Sequence, residues 1–329
     1  MKTVNLSKSL LYWLLVLPVS SILLLEITLQ TGSFINQHFF TNNHQEQWLT
    51  SHLRIVTMGD SNTYGLYLDS KDSYPKQLET LWNASHKNQQ IEVINLGYPG
   101  ANSSRIVANI EEVVDTLHPD FIMVMIGTND SWTLPITGAE NSLTDQPWNI
   151  FQWVKSHSKI YRAYCLITRE PIDENELKTV TTSDPKQKES AKDKPATIDY
   201  KNLHLDYSMT MRSQNDIFNP DENIQKNFGK LMSYAEKSKQ RIIFLTYAAN
   251  KGYYKQANKM TKEAVSKNQY QDFIDISAAF AELQTPKGEG NEYFFPDLHA
   301  TAKGNHLVAE TAMQNLEAIL QLNQPKATQ

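Results

Sequence analysis

Three short polar stretches, spread over most of the chain, carry residue types that could together transfer an acyl group. They are Gly59-Asp60-Ser61, Gly127-Thr128-Asn129-Asp130 and Asp297-Leu298-His299. A serine hydroxyl is a poor nucleophile until a base titrating near neutrality takes its proton, and histidine is the side chain suited to that task. His299 is the candidate base, and Asp297, two residues earlier, is the candidate carboxylate for its far ring nitrogen. Attack on a carbonyl also creates an oxyanion, and losing one of its hydrogen-bond donors typically costs on the order of 10²–10³ in rate. The Ser61 amide, the Gly100 amide and the Asn129 side chain are the available donors, with Gly97 competing with Gly100. No HExxH and no clustered carboxylates point to a metal, and Cys165, the single cysteine, excludes CxxC redox and Cys₂His₂ sites. No cofactor is expected.

These stretches work together only if the fold brings them to one edge. Continuous apolar runs occur at 53–58, 91–96, 121–126, 241–247 and 273–277, the pattern of strands buried on both faces of a parallel sheet. Between them, Tyr74, Leu78, Leu81 and Trp82 fall at helical spacing, as do Ile106, Ile110, Val113 and Val114, and then Ile224, Phe228, Leu231 and Met232. A last amphipathic helix carries Leu307, Val308, Thr311, Ala312, Leu316 and Ile319, and a further helix is expected around 158–167. Alternating strands and helices predict a doubly wound α/β sheet, whose functional groups gather at the C-terminal ends of the strands. Strand one ends in Gly59-Asp60-Ser61, strand two leads into Gly97-Tyr98-Pro99-Gly100, and strand three ends in Gly127-Thr128-Asn129-Asp130.

Each of these residues also has a plainer reading. Asp60 fits a turn and helix-cap role, and Asp130 a structural hydrogen-bonding role. His118 and His306 read as surface or packing residues. Residues 131–223 form a long insertion that opens with Trp132, Trp148, Phe151 and Trp153. Those aromatics either line an acyl or sugar site or hold the insertion to the domain. A charged, proline-bearing stretch at 183–195, within a segment reaching about residue 203, lacks the apolar content to order itself and is expected to be mobile.

The net charge of −5 and the absence of a Lys/Arg block exclude a nucleic-acid partner by composition. From Ser9 to Leu29 the chain has no Lys or Arg and one acid, Glu26. A helix of that length spans roughly 30 Å, about one hydrocarbon core. Lys2 and Lys8 precede it and the next Lys or Arg is Arg54, which places the N-terminus in the cytoplasm and the rest outside. A cleavable signal peptide shares this signature, although no A-x-A site follows. The expected organisation is an anchor over 1–30, a stalk over 31–52 and one α/β domain over 53–329.

The four blocks in this order resemble the SGNH (GDSL) hydrolase superfamily, with Ser61, Gly100, Asn129 and His299 at its signature positions. The resemblance runs from about residue 53 to 321, apart from the insertion. It implies a flavodoxin-like sheet of strand order 2-1-3-4-5 and ester hydrolysis through an acyl-serine. One departure is that the hydrolases usually end in D-x-x-H. Pro296 occupies the aspartate position here and Asp297 stands one residue late, so Glu292 or a backbone carbonyl could orient His299 instead. Related SGNH-type polysaccharide acetyltransferases carry D-x-H. The expectation is a single-pass membrane-anchored serine esterase acting on acyl esters of envelope glycans or lipids, facing the periplasm or exterior. The alternatives are an O-acyltransferase acting on a polysaccharide and a catalytically silent scaffold.

Overall fold

The computed structural model describes Trp13 and residues 16–39, 52–135, 158–168, 197–200, 203–207, 210–212 and 219–322. The charged stretch at 183–195, Trp148, Phe151 and Trp153 lie outside these described residues.

The chain divides into two compact units. The larger holds a five-stranded parallel sheet built from β1 (His52–Gly59), β2 (Gln90–Gly97), β3 (Phe121–Met125), β6 (Arg241–Leu245) and β7 (Phe273–Ile274). Their order is β2-β1-β3-β6-β7, which is 2-1-3-4-5 when only these five are counted. Strand residues alternate between two cores. Val56, Met58, Ile94, Leu96, Ile122, Val124, Ile242 and Phe244 face one, and Ile55, Ile91, Val93, Met123, Ile243 and Leu245 face the other. Both faces are therefore apolar, which is why the strands read as unbroken hydrophobic runs.

Helices α4 (Ser103–Leu117) and α6 (Pro220–Ser238) cover the first face, together with an antiparallel hairpin of β4 (Thr197–Tyr200) and β5 (Leu203–Asp206). Helices α3 (Tyr74–Ser85), α8 (Ile276–Ala279) and α9 (Ala302–Leu322) cover the second. Between β6 and β7 runs α7 (Gly252–Lys267). The hairpin belongs to the insertion and is held on by Asn109, whose side chain donates to the Asp206 carbonyl and accepts from its amide. Tyr207 Oη donates to the Leu96 carbonyl at 3.0 Å, and the Tyr207 ring stacks on Tyr98. At the N-terminal edge of the sheet, buried Arg54 donates to Glu92 and to the Leu117 carbonyl, which satisfies its charge.

The smaller unit contains α1 (Leu17–Phe39) and α5 (Lys159–Thr168). Glu26, the one acid of the N-terminal apolar run, accepts from the amides of Lys159 and Ile160 and from Ser158 Oγ, so it caps the start of α5. Among the described residues no helix is long and apolar enough to cross a membrane; residues 9–12, 14 and 15 of the apolar run at 9–29 lie outside them.

Candidate active site

Ser61 opens α2 (Ser61–Tyr64), a single turn directly after β1. Asp60 is its N-cap, and the carboxylate accepts from the Asn62 amide at 2.9 Å, which fixes the turn that lifts the Ser61 hydroxyl off the strand end. Asp60 is fully buried and also accepts from Tyr247 Oη at 2.7 Å. Burial raises its pKa, and the bonds from Tyr247 and Asn62 partly oppose that rise. Tyr247 Oη in turn accepts from the Thr128 amide, next to Asn129. Asp60 is thus a buried tie between the nucleophile turn and the turn after β3.

Ser61 Oγ lies 2.7 Å from His299 Nε2, across 238 residues of sequence. On the far side of the ring, Asp297 Oδ2 is 2.9 Å from Nδ1. That is an ion-pair distance, so the buried Nδ1 has a carboxylate beside it. The short D-x-H spacing has a local explanation. The Phe295 amide bonds the His299 carbonyl, closing a three-residue hairpin loop of Pro296, Asp297 and Leu298. Leu298 takes the left-handed conformation, φ +75°, that such a loop needs at its last position and that glycine usually supplies. The turn lets Asp297 Oδ1 accept from the His299 amide while Oδ2 sits beside the ring. Burial of Leu298 holds the strained backbone in place. Glu292 is engaged elsewhere, by Lys303, leaving Asp297 as the carboxylate at the ring.

Burial pushes the Asp297 pKa up. The hydrogen bonds from Tyr67 and the His299 amide, with the charge of His299, outweigh this and hold the group below its ordinary value. The Asp297 contribution to stability is therefore present above the usual carboxylate range and is lost as pH falls through the lowered pKa.

The donor positions assemble around one loop. Ala101 N donates to the Tyr98 carbonyl at 3.0 Å, closing a turn with Pro99 and Gly100 at its centre. Gly100 has φ +87°, the value a type II turn requires at its third position. Gly97 serves packing instead. A Cβ there would lie 2.3 Å from the Tyr64 amide nitrogen, so glycine lets β2 touch α2. Its own amide is taken by Asn95 Oδ1 at 2.9 Å, which leaves Gly100 as the better-placed donor of the two.

Asn129, only 5% exposed, donates from Nδ2 to the Ala101 carbonyl and accepts at Oδ1 from Trp132 Nε1. Indole N–H only donates and a carbonyl only accepts, so the amide has one consistent orientation, with a second Nδ2–H to spare. Asp130 turns the other way and accepts from the Ser103 amide, Ser103 Oγ and Asn223, tying the turn to the start of α4. Burial pushes its pKa up to about 6. His306 pins α9 to α3 through Gln77, and His118 is the left-handed C-cap of α4. Among the described residues no group of three or more His, Cys, Asp or Glu side chains is placed to hold a metal ion.

A nucleophile turn, a base, a carboxylate and an amide-rich loop at the C-terminal edge of a parallel sheet are the parts of an acyl-transfer site. Comparison with protein families finds a match over residues 57–172 to the GDSL-like Lipase/Acylhydrolase family. That match covers the segment from β1 through the turn after β3, about a third of the chain. The match supports an enzyme that hydrolyses ester bonds. Comparison with curated proteins yields no significant match. Among solved structures, similarity extends to a putative lipolytic protein of the G-D-S-L family from Desulfitobacterium hafniense DCB-2, at 12% identity over 79% of this chain and 98% of that one, TM-score 0.44. An α/β hydrolase enzyme from the metagenome of Lake Arreo, Spain, is similar at 13% identity over 81% and 96%, TM-score 0.47. So is an acetylxylan esterase from Geobacillus stearothermophilus, at 15% identity over 80% and 94%, TM-score 0.44. Likenesses at these scores carry no weight beyond the family match.

Sequence reasoning does not single out Tyr67 or Tyr254, whose rings stand edge-on to His299, or Tyr247, which bonds Asp60. Tyr247 and Tyr254 follow β6, whose C-terminal end shares the catalytic edge, and that placement is the signal that points to them. Trp132 sits edge-on to Tyr253, with ring centroids 4.5 Å apart, so it fastens the start of the insertion as well as the Asn129 amide. Asn129→Ala is expected to lower kcat by about 10²–10³-fold with KM little changed, measured on a soluble aryl ester, because the lost donor matters most once the oxyanion forms.

Proposed function

We propose that the chain hydrolyses acyl esters through an acyl-Ser61 intermediate. The observation that carries this reading is the 2.7 Å approach of Ser61 Oγ to His299 Nε2, with Asp297 at the other ring nitrogen. Ser61 Oγ attacks the ester carbonyl as its proton passes to His299 Nε2. The Ser61 and Gly100 amides and the free Asn129 Nδ2–H receive the oxyanion. Collapse expels the alcohol, which takes the proton from Nε2, and leaves the acyl group on Ser61. Water then attacks with His299 again as base, releasing the carboxylic acid and restoring the hydroxyl.

The apolar run at 9–29, with lysines only on its N-terminal side, supports a membrane anchor with the catalytic domain outside the cytoplasm. Acyl groups on envelope glycans or lipids are the substrates such a location offers. The D-x-H loop favours a second reading, transfer of the acyl group to a sugar hydroxyl in place of water.

Labelling tests the shared chemistry. A p-nitrophenyl alkylphosphonate is expected to form an Oγ–P bond at Ser61 with release of p-nitrophenolate, one adduct per chain by mass spectrometry and none in Ser61→Ala. Absence of the adduct from the unaltered chain would favour a silent scaffold. Product analysis with an acetyl donor, with and without an oligosaccharide, separates the two enzymes. Free acetate in both arms means hydrolysis, and O-acetylated saccharide means transfer.

A further inference from the structure

Asp297 has a second partner that the ester-hydrolysis machinery does not account for. Tyr67 Oη donates to Asp297 Oδ2 at 2.9 Å, to the same oxygen that faces His299 Nδ1. Tyr67 is 64% exposed, so burial of its own ring is not what keeps it there. Its ring stands edge-on to His299 and to Phe295, with centroids 5.7 and 5.5 Å away, and so touches both sides of the D-x-H loop. Its backbone is left-handed, φ +72°, an uncommon state for an aromatic residue. Leu298, the residue between Asp297 and His299, is left-handed as well. Two unfavourable backbones thus converge on one partly exposed carboxylate, and such outliers persist where surrounding contacts fix them.

We propose that Tyr67 is a positioning residue: its phenol O–H holds the Asp297 carboxylate beside His299 Nδ1 and so sets the imidazole for Ser61. The inference rests on reading Ser61, His299 and Asp297 as the ester-hydrolysing groups. The need follows from the short loop. Asp297 Oδ1 is anchored by the His299 amide, while Oδ2, beside Nδ1, is held by Tyr67. Without Tyr67 the exposed oxygen turns to water. With Tyr67, Oδ2 stays where an Nδ1–H can reach it, favouring the tautomer that leaves Nε2 free to accept from Ser61. The other titratable groups around the ring are Asp60 and Tyr254. Asp60 is buried and Tyr254 partly buried, and each is separately bonded, Asp60 to Tyr247 and Tyr254 to Asn62, so neither replaces Tyr67.

Tyr67→Phe tests this, because it removes the hydroxyl and keeps the ring contacts. On the full chain with an aryl acetate, kcat is expected to fall about 10-fold with KM and Tm unchanged, the scale of one hydrogen bond to a charged group. In an Asp297→Asn background the same substitution is expected to have no further effect, since the two act as one unit. The imidazole ¹⁵N shifts of His299 give a readout independent of turnover. They are expected to report the Nδ1–H tautomer in the unaltered chain and a mixture in Tyr67→Phe. Unchanged kcat with unchanged shifts overturns the proposal, as does an equal loss in both backgrounds. If the unaltered chain neither turns over esters nor takes a phosphonate, the hydrolase reading fails. The tautomer comparison then decides on Tyr67 alone.

Discussion

Ser61→Ala is expected to lower kcat for p-nitrophenyl acetate, butyrate and octanoate by about 10⁴–10⁶-fold, the range over which losing a serine nucleophile acts. The size follows from what the substitution leaves behind. The backbone amide at this position survives the change, and the Gly100 turn and the Asn129 amide are held by bonds that do not involve the hydroxyl. Residual rate above water therefore measures the oxyanion donors alone. Folding is expected to be unaffected, because the α2 turn is capped by Asp60 through Asn62, while the Ser61 hydroxyl bonds His299 and takes no part in that cap. A Tm equal to that of the unaltered chain with turnover near background establishes acyl-serine chemistry. Turnover that persists would mean another nucleophile and would sink the proposed function. The order of the three esters in the unaltered chain reports how long an acyl group the site accepts.

How much of this was legible in sequence depended on whether the signal was local. Strands such as Phe121–Met125 are apolar on both faces, and the helix with Ile106, Ile110 and Val113 repeats at 3.6 residues, so both could be read directly. The run at 273–277 reads as a longer strand than the two residues that pair. Asp275 ends it by turning to bond Thr246 and Ser277, a contact that no apolar pattern reveals. Helix Gly252–Lys267 escaped because its buried stripe is made of Ala257, Asn258, Thr261 and Ala264 beside Met260, too small and polar to stand out. The site was legible as block order on strand ends. The tie from Asp60 to Tyr247 and the bond from Tyr67 to Asp297 were not, because they join residues 187 and 230 positions apart. Leu298 gives no warning either, since nothing about leucine announces a left-handed backbone.

That loop makes Asp297→Asn the more informative of the large perturbations, with an expected loss of about 10³–10⁴-fold in kcat on p-nitrophenyl acetate. An asparagine of the same shape can still accept from the His299 amide, so the hairpin should persist, and Leu298 remains buried to hold it. What changes is the charge beside Nδ1. A carboxylate stabilises the imidazolium that forms when His299 takes the serine proton. A neutral amide does not, and it can present an N–H that favours the wrong tautomer. The held-down pKa of Asp297 adds a pH consequence. The carboxylate stays ionised at neutral pH, so in the unaltered chain the acidic fall in kcat/KM is not set by protonation of Asp297. A loss below about 10-fold in Asp297→Asn would mean that His299 works with Ser61 as a dyad. The D-x-H loop would then serve to place the ring and not to charge it.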